Sequence, residues 1–362
     1  MDYESIRRKT KAVRIGNVTI GSGHPIAVQS MLNTDTADAE ACIAQARRLE
    51  EAGCDIIRLT VPSAEYAETI YKMKNAGIKA PLVADIHFDY RAALAAVSAG
   101  ADKIRINPGN IGSDEKVRAV ADECRLHGVP IRIGVNGGSL EKHILAKYGA
   151  PTADALCESA LYHASLLRKF DFDDIVISIK SSSPVIMARA TEKLAAVCDY
   201  PLHIGVTEAG EGDDALIKSA AGIGALIANG IGDTVRVSLT DDPVKEIGAA
   251  RKILRALGVS QSGYIEVVSC PTCGRTKIDL IPICKALKKE FEGMDAGEKH
   301  IKVAVMGCVV NGPGEAAEAD IGIAGGDGCA VLISRGEIVG KIEEKDIIGT
   351  LKKEVLRLIT EG

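Results

Sequence analysis

The sequence predicts an α/β protein, with a (β/α)8 barrel of the TIM type over residues 1–260 and a smaller α/β domain over 261–362. Three observations carry that prediction. First, the 362 residues exceed one barrel of about 250 by roughly a hundred. Second, eight short β-branched runs alternate with helical segments: 25–31, 56–61, 81–87, 103–107, 130–136, 174–180, 201–208 and 234–239. Such alternation marks parallel βαβ units, and eight strands close a barrel. Third, the composition changes after Gly258, where the polar link Ser-Gln-Ser-Gly leads into a new strand and five of the ten cysteines crowd the last 99 residues.

Taken in order, residues 11–22 read as a small hairpin that closes the barrel floor ahead of the first strand. Helix starts are signalled at Ser63, Asp89, Asp114, Thr152, Ser183-Pro184 and Asp242-Pro243, and helix ends at Gly53, Gly77, Gly100, Gly128, Gly230 and Gly258. Gly222 and Gly224 lack the third glycine of a dinucleotide fingerprint and read as close helix packing. The core must be aliphatic, because hydrophobic residues make up 46% while aromatics supply 3% and Trp is absent.

Buried parallel strands normally read as unbroken apolar runs, so alternation within them is informative. Lys103, Arg105 and Asn107 oppose Ile104 and Ile106, and Arg132, Gly134 and Asn136 oppose Ile131, Ile133 and Val135. Arg58 and Thr60, Asp85 and His87, Ser178 and Lys180, and Arg236 and Ser238 repeat the pattern. The apolar face packs under the helices, which turns the polar face into the barrel. Arg58, Arg105, Arg132, Lys180 and Arg236 then converge from five strands, with only Asp85 on those faces and Glu208 nearby to offset them. Burying such an imbalance costs several kcal/mol per ion, so a polyanionic ligand is expected, held by Arg forks. Single inward cations also serve as ion pairs in the lower layers; Lys103, two positions deeper than Arg105, is assigned to that role. Asn107, Asn136, Asp85, His87, Thr207 and Glu208 fall at strand C-termini, where barrel enzymes place their chemistry. His203, mid-strand, reads as a hydrogen-bonded core residue.

The net charge of −5 and the absence of a basic run argue against nucleic acid. No apolar stretch is long enough to span a membrane, and the N-terminus shows no export or transit pattern. A cytoplasmic protein with reduced thiols is expected.

The tail presents Cys270-Pro-Thr-Cys273 at one strand end and Cys308, in Gly-Cys-Val-Val-Asn-Gly-Pro-Gly-Glu, at another. A lone C-x-x-C leaves zinc, a redox disulfide and an iron–sulfur cluster open. Cys284 shares a helical stripe with Leu280, Leu287 and Phe291, and Cys329 opens the run Cys-Ala-Val-Leu-Ile-Ser, a strand turned at Arg335-Gly336, so both read as core. Glu315 is then the remaining ligand. A hard carboxylate suits a thiolate zinc site poorly, and a cluster with one oxygen ligand leaves an iron open to substrate.

The segments KIRINPGNIG, PIRIGVNGGSLE, TEAG and DTVRVSL, with SCPTCGR and GCVVNGPGEAAEADIGIAG, closely resemble the bacterial 4-hydroxy-3-methylbut-2-enyl diphosphate synthase family of the methylerythritol phosphate route to isoprenoids. The resemblance implies a barrel for 2-C-methyl-D-erythritol 2,4-cyclodiphosphate and a [4Fe-4S] cluster held by Cys270, Cys273, Cys308 and Glu315. It also implies two-electron reductive ring opening with loss of water, flavodoxin or ferredoxin as electron donor, and a homodimer in which one subunit's cluster domain covers the other's barrel mouth. In that chemistry Arg58, Arg105, Arg132, Lys180 and Arg236 hold the diphosphate, while Asn107, Asn136, Ser178, Thr207 and Ser238 add hydrogen bonds. Glu208 delivers a proton to the departing hydroxyl with help from Asp85 and His87, and Asn311 contacts substrate from the cluster side. The rivals are a non-redox, pterin-synthase-like phosphate-binding barrel with a structural zinc tail, and a cluster-bearing sensor or scaffold.

Overall fold

The computed structural model describes residues 3–260 and 262–361. The chain divides into two compact units, Met1–Val259 and Ser260–Gly362.

In the first unit the short helix Tyr3–Ile6 leads to a hairpin, β1 (Val13–Ile15) and β2 (Val18–Ile20), followed by eight parallel strands. These are β3 (Ala27–Met31), β4 (Ile56–Thr60), β5 (Leu82–Asp85), β6 (Lys103–Ile106), β7 (Ile131–Asn136), β8 (Ile175–Lys180), β9 (His203–Ile204) and β10 (Thr234–Val235). They run in the order β8-β7-β6-β5-β4-β3-β10-β9, and a parallel bridge from Ile177 to Leu202 joins the two ends. The seventh and eighth strands are shorter than the expected 201–208 and 234–239. Gly205 lies so close to the Arg236 carbonyl that a side chain there would collide with it. The chain stays extended, with Arg236 N donating to Ile204 O at 3.0 Å and Thr207 N donating to Ser181 O at 3.2 Å.

Period-two alternation sorts the strands into two cores. Ile57, Leu59, Ile104, Ile106, Ile133 and Ile177 pack outward under the helices. Inside, Ala27, Ile56, Val83 and Val176 meet Val13, Ile15 and Ile20 of the hairpin, so the hairpin plugs the floor with apolar side chains.

The helix punctuation follows hydrogen-bond chemistry. The Asp89, Thr152, Ser183 and Asp242 side chains accept backbone N–H bonds as N-caps. Ser63 instead gives its hydroxyl to Glu65 and starts only a 3-10 turn, while Ser113 is the N-cap ahead of Asp114. The six predicted C-terminal glycines all have φ between +64° and +94°, which a Cβ would strain. Close packing is found at Gly222, where a Cβ would stand 2.6 Å from Val206, but Gly224 faces open space.

The second unit is a five-stranded sheet in the order β11 (Tyr264–Ser269), β12 (His300–Met306), β13 (Ile321–Gly326), β14 (Cys329–Ser334) and β15 (Glu337–Glu343). The first three are parallel and the last two antiparallel, with the β14–β15 turn at Arg335-Gly336. Ile301, Val303 and Val305 pack with helices Leu280–Phe291 and Ile347–Thr360, whereas Ala304 and Met306 pack with the short helix Gly312–Ala316.

Candidate active site

Above the apolar floor the barrel interior is a chamber of cations. Asp85 is wholly buried on β5 and accepts from Arg58 Nε at 3.1 Å and NH2 at 2.5 Å, and from Arg105 NH1 at 3.0 Å. Burial alone would raise its pKa, yet Arg58, Arg105 and Lys180 overcome that and hold the carboxyl well below the usual carboxylate range. In the ligand-free chain Asp85 orients two guanidiniums. His87 stands at the rim, with Nε2 4.0 Å from Asp85.

Arg132 on β7 has no exposed surface, and its NH1 reaches only Gln29 Oε1, at 3.5 Å. Its Nε and NH2, Arg105 Nε, Gln29 Nε2 and Lys103 Nζ have no hydrogen-bond partner among the described residues. Lys103 thus departs from the expected lower-layer ion pair: its neighbour in register on β5 is Val83, and no carboxylate reaches it. Each unmatched group is a donor, so this layer of the barrel is short of acceptors.

Arg236 is the second departure. It pairs with buried Glu246 of the helix Pro243–Ala256, NH2 to Oε1 at 3.0 Å and Nε to Oε2 at 3.3 Å. Ser30 Oγ and Leu239 N also bond that carboxylate. Sequence reasoning missed Glu246 because it looked for acids on the strands. The signal was an acid on the buried stripe Pro243, Ile247, Ala250 and Leu254.

At the mouth, Lys180 is partly buried; desolvation, then Arg105 and Arg58, push its ammonium pKa down to about 6. One small cavity brings together Arg58, Ser178, Lys180, Thr207, Arg236 and Ser238. Ser178 Oγ donates to Ile133 O at 3.2 Å. Asn107 and Asn136 each cap a following turn, accepting from Gly109 N and Gly138 N at 3.1 Å, and Asn107 Nδ2 also donates to Ser139 Oγ. Glu208 is exposed at φ +52°, a left-handed backbone unusual for a non-glycine residue and common where function fixes a side chain. His203 is the core residue expected, its Nδ1 2.7 Å from Thr234 Oγ1. A cavity of about 550 Å³ at the strand N-termini, by Lys11, Asp173, Asp199 and Tyr200, takes in none of these residues.

In the second unit, β11 and β12 are parallel neighbours, so Cys270 and Cys308 leave adjacent strand ends. Cys270 Sγ accepts from Gly307 N at 3.2 Å, and Lys277 N donates to Gly307 O at 2.8 Å, tying the two loops together. The backbone N–H of Arg275, with Thr276 and the Arg275 charge, lowers the Cys273 thiol pKa, which favours the thiolate a metal needs. Glu315 lies exposed on the helix Gly312–Ala316, next to Asn311 at its N-cap. Among the described residues no three metal-ligating side chains are gathered into a finished cage. The donor set nevertheless suits iron: three free thiols on tied loops and one carboxylate. Cys284 packs against the core as expected, but also borders a cavity of about 260 Å³ with Cys270, Lys285 and Lys288. Cys329 opens β14.

Residues 10–251 match the family model described as the GcpE TIM-barrel domain, and residues 266–357 match the GcpE protein C-terminal domain. A Fusobacterium nucleatum protein is 53% identical over 97% of this chain and 98% of its own. One from Clostridium perfringens is 54% identical over 96% and 98%. Both are named 4-hydroxy-3-methylbut-2-en-1-yl diphosphate synthase (flavodoxin). Among solved structures, N-acetylneuraminic acid synthetase from Leptospira borgpetersenii matches at TM-score 0.50 and 14% identity, over 69% of this chain and 91% of that one. A truncated 3-deoxy-D-arabino-heptulosonate 7-phosphate synthase from Thermotoga maritima matches at TM-score 0.50 and 14% identity, over 72% and 99%. These two likenesses bear on the barrel fold alone. The two domain matches and the half-identical, full-length relatives establish that this chain belongs to the GcpE family.

Proposed function

We infer that the chain is a flavodoxin-dependent 4-hydroxy-3-methylbut-2-enyl diphosphate synthase. It reduces 2-C-methyl-D-erythritol 2,4-cyclodiphosphate with two electrons, opening the ring and releasing water. The observation that carries this reading is the barrel chamber, where buried guanidinium and ammonium donors outnumber acceptors and one carboxylate faces several cations. A diphosphate supplies the missing charge and oxygens.

Arg58 and Arg105, held in place by Asp85, and Arg132, whose donors are free, grip the phosphoryl oxygens and stabilise the charge that collects on them as the ring C–O bond breaks. This is catalysis by positioning and preorganised electrostatics. Lys180 offers its amine at the rim, and Arg236, already paired with Glu246, contributes from a fixed orientation. Asn107, Asn136, Ser178, Thr207 and Ser238 hydrogen-bond the sugar and phosphate edge. Glu208 delivers the proton that lets the hydroxyl leave as water, with His87 at the rim assisting. Asn311 is a further proposed substrate contact.

Cys270, Cys273, Cys308 and Glu315 would hold a [4Fe-4S] cluster. When bound, the cluster supplies the two electrons, one at a time. The active form is a homodimer in the cytoplasm, where ten free thiols are stable.

Anaerobic preparation followed by iron and sulfide analysis tests the cluster assignment. About four irons and four sulfides per chain are expected for such a cluster, with marked loss in Cys308→Ser. One zinc per chain and no sulfide would overturn it. Light scattering of the loaded protein should give the mass of two chains.

A further inference from the structure

Lys103 is an inward cation to which the reaction above gives no task. It projects inward from β6, has no exposed surface, and its Nζ has no hydrogen-bond partner among the described residues. The charged groups that face it are all basic: Arg132 from β7 and Arg58 from β4. His203 from β9 also lies within its field. From β5 it meets Val83 in register, and the floor below is Val13, Ile15, Ile20, Ile56 and Val176. Asp85, the acid of the chamber, is spent on Arg58 and Arg105. With cations around it and hydrocarbon below, burial first and then the charges of Arg132 and Arg58 push the ammonium of Lys103 well below its ordinary range in the ligand-free chain.

The arriving ligand changes that balance. Each phosphorus of a cyclic diphosphate carries one strongly acidic oxygen, so the ligand brings two negative charges and no proton that titrates near neutral pH. Placed against the free donors of Arg132 and Arg105, it cancels the positive field that strips the amine.

We propose that Lys103 is a further binding residue of the anion chamber and works by proton capture: neutral when the barrel is empty, it takes one proton from solvent as the diphosphate enters, and the resulting ammonium holds the anion from beneath. The proton comes from water or buffer and returns there on release. The inference rests on the diphosphate reading of the barrel, and it adds to that reading a proton count.

The test is calorimetric titration of the oxidised, cluster-loaded holoenzyme with 2-C-methyl-D-erythritol 2,4-cyclodiphosphate, anaerobically and without reductant. Runs at pH 8 in buffers of differing ionisation enthalpy give the protons taken up per ligand bound. Net uptake is expected for the parent chain, and about one proton fewer for Lys103→Met. Lys180→Met is measured beside it, because the rim amine, also lowered by burial and by Arg105 and Arg58, takes up a proton of its own; the losses in the two single variants should add in the double variant. Lys103→Met should also melt higher than the parent without ligand, since a buried amine with no partner has been replaced by a thioether of similar length. Lys103→Gln repeats the measurement in a polar side chain and gives the same loss. If both variants bind ligand with the parent's proton uptake, the inference is overturned. If the parent itself does not bind the cyclodiphosphate, the diphosphate reading falls and the inference with it.

Discussion

Replacing Asp85 by Asn removes one negative charge and almost no volume, and so isolates the electrostatic role of the chamber's carboxylate. Asp85 has no exposed surface and bonds two guanidiniums, Arg58 at 2.5 Å and Arg105 at 3.0 Å. An Asn amide keeps one acceptor oxygen and turns its NH2 toward a second donor, so at least one guanidinium is left buried and unmatched. Breaking a buried pair from one side costs about 3–5 kcal/mol. With a melting shift of roughly 2–4 °C per kcal/mol for a unit of this size, the barrel should melt about 10 °C lower. Calorimetry of the full chain reads this directly, and Glu68→Gln is the control. Glu68 pairs with Lys72 at 3.0 Å on an exposed helix face, where such a pair is worth less than about 1 kcal/mol. Saturating cyclodiphosphate should narrow the gap between Asp85→Asn and the parent, because the ligand's charge takes over the carboxylate's work. A melting point for Asp85→Asn within 2 °C of the parent would refute the claim that this carboxylate balances the chamber.

Arg132→Ala should abolish measurable binding of the cyclodiphosphate in calorimetry while the cluster content stays unchanged; parent-like affinity would count against the anion chamber. Glu208→Gln should preserve affinity but lower kcat by about 10²–10⁴-fold, the usual worth of a positioned proton donor, and full activity would remove Glu208 from that role. Glu246→Gln removes the buried charge that holds Arg236, and the melting point should fall while iron content does not change. Lys180, with a pKa of about 6 in the folded chain and about 10.4 when unfolded, binds fewer protons folded than unfolded between those limits. The contribution of Lys180 to the stability of the ligand-free chain should therefore rise with pH across that window, by at most about 1.4 kcal/mol per pH unit before screening at the partly open rim. The rise should flatten in Lys180→Met, as urea titrations at pH 7 and 9 would show.

Much of the barrel site was legible because its information is local. Arg58, Arg105, Arg132 and Lys180 sit at alternate positions of strands whose other face must meet helices, so period two alone turned them inward. The hairpin plug and the six glycine stops were readable for the same reason, each being set by a turn's own backbone. What escaped the sequence was pairing across long range. Glu246 reaches Arg236 from a helix outside the strand ring, and whether Lys103 finds an anion depends on which side chains other strands deliver to its layer. Strands β9 (His203–Ile204) and β10 (Thr234–Val235) are shorter than the apolar runs suggest, and the close approach of Gly205 to the Arg236 carbonyl beside them is a contact no residue propensity encodes. In the second unit the thiols and Glu315 were identified by motif, and parallel pairing of β11 with β12 brings two of their loops side by side.

The account is tested most directly by anaerobic turnover of 2-C-methyl-D-erythritol 2,4-cyclodiphosphate with reduced flavodoxin, following product by phosphorus resonance and flavodoxin oxidation by absorbance. It predicts one 4-hydroxy-3-methylbut-2-enyl diphosphate for every two electrons consumed, in the iron-loaded chain only. Electron consumption without that product, or product formed by a zinc-loaded chain lacking iron, would contradict it.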